Sequence, residues 1–158
     1  MKILISSCLL GNQVRWNGAQ KLNQELISWC EENNLELIPV CPENELFGTP
    51  RAPINLIQIE DKTEVVMGSK KITELLEQKA EEIFDRYPEA NGFIGIVGSP
   101  SCGISVGVKK AGRVTKGIMH KISKIPSDDS GQMKNLKRRD IFLERVKKYE
   151  RRRHCEIC

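Results

Sequence analysis

Three short apolar runs, Ile3-Leu4-Ile5, Leu35 to Val40 and Gly92 to Val97, are each followed within one to five residues by a cysteine. This repetition narrows the possible folds more than any other feature of the chain. Runs that are apolar almost throughout, rather than alternating, are what strands buried on both faces require. Between the first two, Leu22, Leu26, Ile27, Trp29 and Cys30 give an apolar face to a helix over about residues 19 to 33. A second helix is expected from Thr73 to Arg86, where Leu75, Leu76, Ala80, Ile83 and Phe84 recur at helical spacing ahead of Pro88. Strand, helix and strand in this order describe an α/β fold, a Rossmann-like three-layer sandwich whose mainly parallel sheet is flanked by helices.

The connecting segments are less regular. Pro42, Gly48, Pro50 and Pro53 make residues 42 to 53 read as a long loop. Ile54 to Ile59 and Val65-Val66 read as a small hairpin or edge extension, and Val106 to Val108 and Val114 to Ile118 as short strands. Residues 123 to 132, rich in Ser and Asp with Pro126 and Gly131, read as a mobile loop. A basic helix is expected over about 134 to 153, followed by a Cys155–Cys158 pair. The 158 residues suit a single domain, 1–158. No apolar run approaches the roughly 18 residues of a membrane span, and a cytoplasmic protein is expected.

Cysteines are seldom disulfide partners in that reducing compartment, so six of them call for another explanation. In open parallel sheets ligands sit beyond the carboxyl ends of the strands. Cys8, Cys41 and Cys102 each follow a strand and therefore share one edge if those strands are parallel neighbours. Three thiolates suit a zinc ion with an open position or three irons of a [4Fe-4S] cluster, and the spacing alone leaves both open.

Other residues stand close to these thiols in sequence. Glu43 lies two residues past Cys41, where Pro42 stiffens the chain, and its carboxylate suits a proton-transfer role. Ser99 and Ser101 flank Pro100 ahead of Cys102, and their hydroxyls suit a substrate carbonyl or a sulfide. Arg51 suits either a loop-stabilising role or an anionic substrate group. Cys30 falls on an apolar helix face and reads as core. Residues 134 to 153 hold ten Lys or Arg against three acids, which fits a solvated helix or a weak RNA contact.

Taken together, Ser6-Ser7-Cys8-Leu9-Leu10-Gly11 with Val14-Arg15 and Asn17-Gly18, Val40-Cys41-Pro42-Glu43 with Pro50-Arg51 and Pro53, and Ser99-Pro100-Ser101-Cys102-Gly103 resemble the motifs of the thiouracil desulfurase family. The resemblance covers about residues 1 to 118. It implies a [4Fe-4S] cluster held by Cys8, Cys41 and Cys102, with one iron open to a small thiolated substrate. It also implies that Glu43 and Ser99 assist a hydrolysis that replaces C=S by C=O without net redox change. The chain departs from the family pattern at Asn44 to Gly48, where relatives often carry Gly-Gly, and at Gly98, where they often carry a basic residue. Both places flank the expected site, which implies a related subgroup.

Overall fold

A computed structural model describes residues 1–157. Strand β1 (Lys2–Ser6) runs into a 3-10 turn at Ser7–Leu10, and α1 (Gln24–Glu32), β2 (Glu36–Val40) and α2 (Pro42–Phe47) follow. Next come β3 (Ile54–Ile59), β4 (Lys62–Met67), β5 (Lys70–Lys71), α3 (Thr73–Arg86) and β6 (Gly92–Gly95). The chain continues through β7 (Val106–Lys109), β8 (Arg113–Thr115), α4 (Ile118–Ile122), β9 (Ser127–Asp129) and α5 (Leu136–Ile157).

The first sheet has the order β2-β1-β6-β9, and all of its pairings are parallel. Alternation along its central strands divides the core in two. Ile3, Ile5 and Ile94 face Leu26 and Cys30 of α1 and Phe142 and Val146 of α5. Leu4 and Phe93 face the other way, toward Leu76, Ala80 and Ile83 of α3 and Met119 of α4. Helices thus cover both faces of a parallel sheet, and the fold is α/β. Pro39 is accommodated because β2 lies at the edge, where a missing ladder donor costs little.

A second sheet, in the order β5-β4-β3-β7-β8, is mixed. The hairpin read from Ile54 onward is its centre, pairing Ile54 with Met67 and Ile59 with Lys62. Leu56, Val65 and Val108 from this sheet join the core beneath α3. The hairpin is therefore part of a five-stranded sheet and not an extension of the parallel one.

Four segment readings are corrected. Residues 42 to 53 are not all loop, because Pro42 to Phe47 form α2 with proline in the first turn, where its missing N–H is harmless. Residues 123 to 132 contain β9, whose Asp128 and Asp129 are buried. Helix α1 starts at Gln24, not near residue 19, and Leu22 is exposed. Lys21 N and Asn23 N donate instead to the carbonyls of Cys8 and Leu9, which binds this stretch to the first cysteine turn. Ile118 opens α4 and does not end a strand. The basic C-terminal helix is present as α5, its apolar residues Phe142 and Val146 buried and its Arg138 and Arg139 paired with Asp128 and Glu25. Among the described residues no helix is long and apolar enough to cross a membrane.

Candidate active site

Cys8, Cys41, Cys102, Glu43, Ser99 and Ser101 line one cavity of about 280 Å³ at the carboxyl edge of the parallel sheet. Each thiol arrives there by a different local device. Cys8 sits in the 3-10 turn that β1 enters directly. Its carbonyl accepts from Gly11 N at 3.2 Å and Lys21 N at 2.9 Å, and Gly11 takes the left-handed φ of 90° that ends the turn. Cys41 caps α2, its Sγ accepting from Asn44 N at 3.4 Å.

Cys102 is held by the start of α4. Gly117 N, Ile118 N and Met119 N donate to the carbonyls of Gly103, Pro100 and Ser101 at 2.8, 3.1 and 2.8 Å. The helix thereby spends its first donors on the cysteine turn. His120 Nε2 lies 2.8 Å from the Cys102 carbonyl oxygen, which can only accept, so that nitrogen carries the proton. Burial draws the His120 pKa down, in keeping with a neutral ring. The same carbonyl rests on Gly95 of β6, where an added Cβ would come within 1.6 Å of it.

A hydrogen-bonded chain of side chains runs beside the thiols. Ser101 Oγ donates to Glu43 Oε1 at 2.6 Å, and Ser99 Oγ lies 3.0 Å from Ser101 Oγ. With the Ser101 proton directed at the carboxylate, Ser99 is the donor to Ser101. The other Glu43 oxygen accepts from Arg51 Nε at 3.3 Å and Nη2 at 3.2 Å, and both side chains are buried. Arg51 Nη1 also donates to the carbonyls of Val14 and Gly48 at 2.8 and 3.1 Å. Arg51 is thus an anchor for Glu43 and for two loops at once.

The thiols are costly to ionise where they stand. Burial pushes Cys8 up to about 11, reinforced by Cys41 and opposed by Arg15. Burial also raises Cys41, against the Asn44 N–H and Arg51, and Cys102 rises for the same leading reason, with Cys41 adding to it. Thiolates here need a cation beside them, which a bound metal group supplies. Among the described residues no three His, Cys, Asp or Glu side chains are placed to hold a single metal ion. A group with several metal centres can take one thiolate at each, and the three thiols that line this cavity are the donors it offers.

The remaining cysteines lie elsewhere. Cys30 is fully buried in the core against α5, as its helical position implied, and Cys155 is exposed on the last turns of α5. Cys158, the other half of the terminal pair, lies outside the described residues. Sequence reasoning missed His120, 18 residues from the carbonyl it binds, and Asp129, whose Oδ2 accepts from Ile104 N at 2.7 Å beside the Cys102 turn. It also gave no role to Trp16, which lines the cavity.

A solved structure of a [4Fe-4S]-dependent thiouracil desulfidase, TudS, shares the fold with a TM-score of 0.65 at 24% identity, covering 84% of this chain and 92% of that one. No curated protein matches the chain. The profile of the 2-thiouracil desulfurase family matches residues 3–130, a span that contains all three thiols, Glu43, Arg51 and both serines. That span also includes both sheets and reaches the end of β9, with the 3-10 turn at Gln132–Lys134 and α5 beyond it; the chain belongs to the 2-thiouracil desulfurase family, enzymes that act on a carbon–sulfur bond.

Proposed function

We propose that this enzyme replaces the C=S of a thiolated nucleobase such as thiouracil by C=O and releases sulfide, using an iron–sulfur cluster held by Cys8, Cys41 and Cys102. The observation that carries this reading is the 2.6 Å hydrogen bond from Ser101 to Glu43 in the wall of the cavity that the three thiols share. The relative TudS is described as [4Fe-4S]-dependent and as a thiouracil desulfidase, which supports the same cofactor and substrate class here.

The overall conversion consumes one water and forms one hydrogen sulfide, so carbon keeps its oxidation state and no external electron carrier enters. A cluster held by these thiols would supply Lewis-acid polarisation of the carbon–sulfur bond. The residues of the chain move the protons. Attack by water sheds a proton, and the Ser99, Ser101 and Glu43 chain offers a route from the half-buried Ser99 to a carboxylate. Arg51 holds that carboxylate in one orientation, which keeps its free lone pairs directed at Ser101. The departing sulfur then takes up protons to leave as sulfide.

The test is anaerobic incubation of the iron-loaded protein with 2-thiouracil, with uracil and sulfide measured together. The reading requires equal amounts of both and no formation of either in iron-free protein. A uracil signal that persists without iron, or none with a full complement of iron, overturns it.

A further inference from the structure

The cavity has an entrance whose chemistry differs from its floor. Its floor is made of thiols, hydroxyls and a carboxylate, whereas Arg15, Trp16 and Val97 line it as well. Trp16 is 44% exposed and Val97 49%, a large exposure for apolar side chains that border a cavity. The loop that carries Trp16 is built rather than slack. Arg15 N donates to the carbonyl of Ala19 at 3.1 Å, Gly18 N returns to the carbonyl of Arg15 at 2.9 Å, and Arg51 N donates to the carbonyl of Trp16 at 2.9 Å.

The two cations on this wall are used differently. Arg51 is committed to Glu43 and to backbone carbonyls, so it has little left to offer a substrate. Arg15 takes part in none of the ion pairs formed among the described residues. A planar cation with several donors and an exposed indole lining the same cavity match a flat heterocycle carrying oxygen or anionic nitrogen at its rim.

The geometry points to Arg15 and Trp16 as the ring-recognition element of this site, Trp16 stacking on the face of a planar thiolated heterocycle and Arg15 pairing with an oxygen or anionic nitrogen of the same ring. This rests on the desulfurase reading for the identity of the ring. It adds that ring binding is separable from the chemistry on the floor. Trp16 therefore determines how well a base is held, and Glu43 and Ser101 determine what happens to it.

The experiment has two arms on the iron-loaded protein. In the first, KM and kcat for 2-thiouracil are compared among the natural chain, Trp16→Ala, Trp16→Phe and Arg15→Gln. Loss of stacking raises KM by about 5- to 100-fold in Trp16→Ala while kcat stays within about threefold, and Trp16→Phe recovers most of the binding. Arg15→Gln also raises KM. An unchanged KM in Trp16→Ala overturns the assignment while leaving desulfuration intact.

In the second arm, tryptophan emission is followed during titration with 2-thiouracil. The only other tryptophan, Trp29, lies half-buried on α1, so quenching that disappears in Trp16→Phe reports contact at Trp16 itself. If the natural chain releases no sulfide, the desulfurase reading fails. Quenching still present at Trp16 then keeps the ring site, and its absence overturns it.

Discussion

Ser101 Oγ lies 2.6 Å from Glu43 Oε1, although 58 residues separate the two in the chain. The contact joins the helix that follows β2 to the turn that follows β6, and it passes beside Cys41 and Cys102 on the way. Because β2 and β6 flank β1 on either side in the same parallel sheet, their carboxyl ends open on one edge, and the two loops meet there.

Glu43→Gln separates proton transfer from cofactor binding. An amide has one accepting oxygen, and with that oxygen on Arg51 its nitrogen can only donate to Ser101, so residue 43 no longer accepts a proton from the serine. Turnover is expected to fall by about 10² to 10⁴ while iron content is kept. Stability falls by about 3 kcal/mol, because the buried Arg51 loses its anionic partner. Steady-state rates, iron analysis and thermal melts check the three parts, and activity near that of the natural chain removes Glu43 from the proton route.

The two serines are distinguished by position. Ser101 is in direct contact with Glu43 and Ser99 is one hydroxyl further out. Ser101→Ala breaks the chain at its centre and is expected to cost at least as much in kcat as Ser99→Ala. The double variant is expected to be little worse than Ser101→Ala alone, since residues acting as a unit are not additive. Independent, multiplying losses in kcat contradict a shared relay.

Gly95→Ala places a methyl group 1.6 Å from the Cys102 carbonyl oxygen. Either β6 or the cysteine turn must move, at a cost above about 3 kcal/mol. Iron retention is expected to fail together with stability. Gly107→Ala on β7 is the control, because its added Cβ meets nothing within 4 Å. Equal melting temperatures for the two variants contradict the close approach of the turn to β6.

Cys30 gives a pH dependence apart from the site. Burial pushes its thiol up from the ordinary 9.0 to about 12, with Arg139 opposing and Glu31 adding. The folded chain thus keeps a proton that the unfolded chain surrenders above pH 9. This contribution to stability is complete below pH 9 and is lost progressively as the pH rises toward 12. Denaturant melts between pH 8 and 11 are expected to show a shallower alkaline decline in Cys30→Ala. An identical slope contradicts the assignment.

The strands that carry the site were legible because β1 and β6 are apolar on both faces, and because a cysteine follows each strand closely. Elements whose residues are satisfied only by tertiary partners were hidden. β9 reads as loop from Ser127-Asp128-Asp129, yet Asp129 accepts from Ile104, Gly131 and Gln132, and Asp128 pairs with Arg138. Local composition carries no trace of those partners. Pro42 was read as a breaker, whereas at the first turn of a helix it is tolerated. The thiols, Glu43 and the serines were reachable from spacing. The bond from His120 to the Cys102 carbonyl was not, because it depends on α4 folding back over β6.

Iron per chain in anaerobically reconstituted protein, compared across single Cys→Ser variants, tests the central claim most directly. About four irons are expected in the natural chain and in Cys30→Ser, with loss of most of that iron in each of Cys8→Ser, Cys41→Ser and Cys102→Ser. Full iron in any of those three, or loss of iron in Cys30→Ser, contradicts a cluster held by the thiols at the carboxyl edge of the sheet.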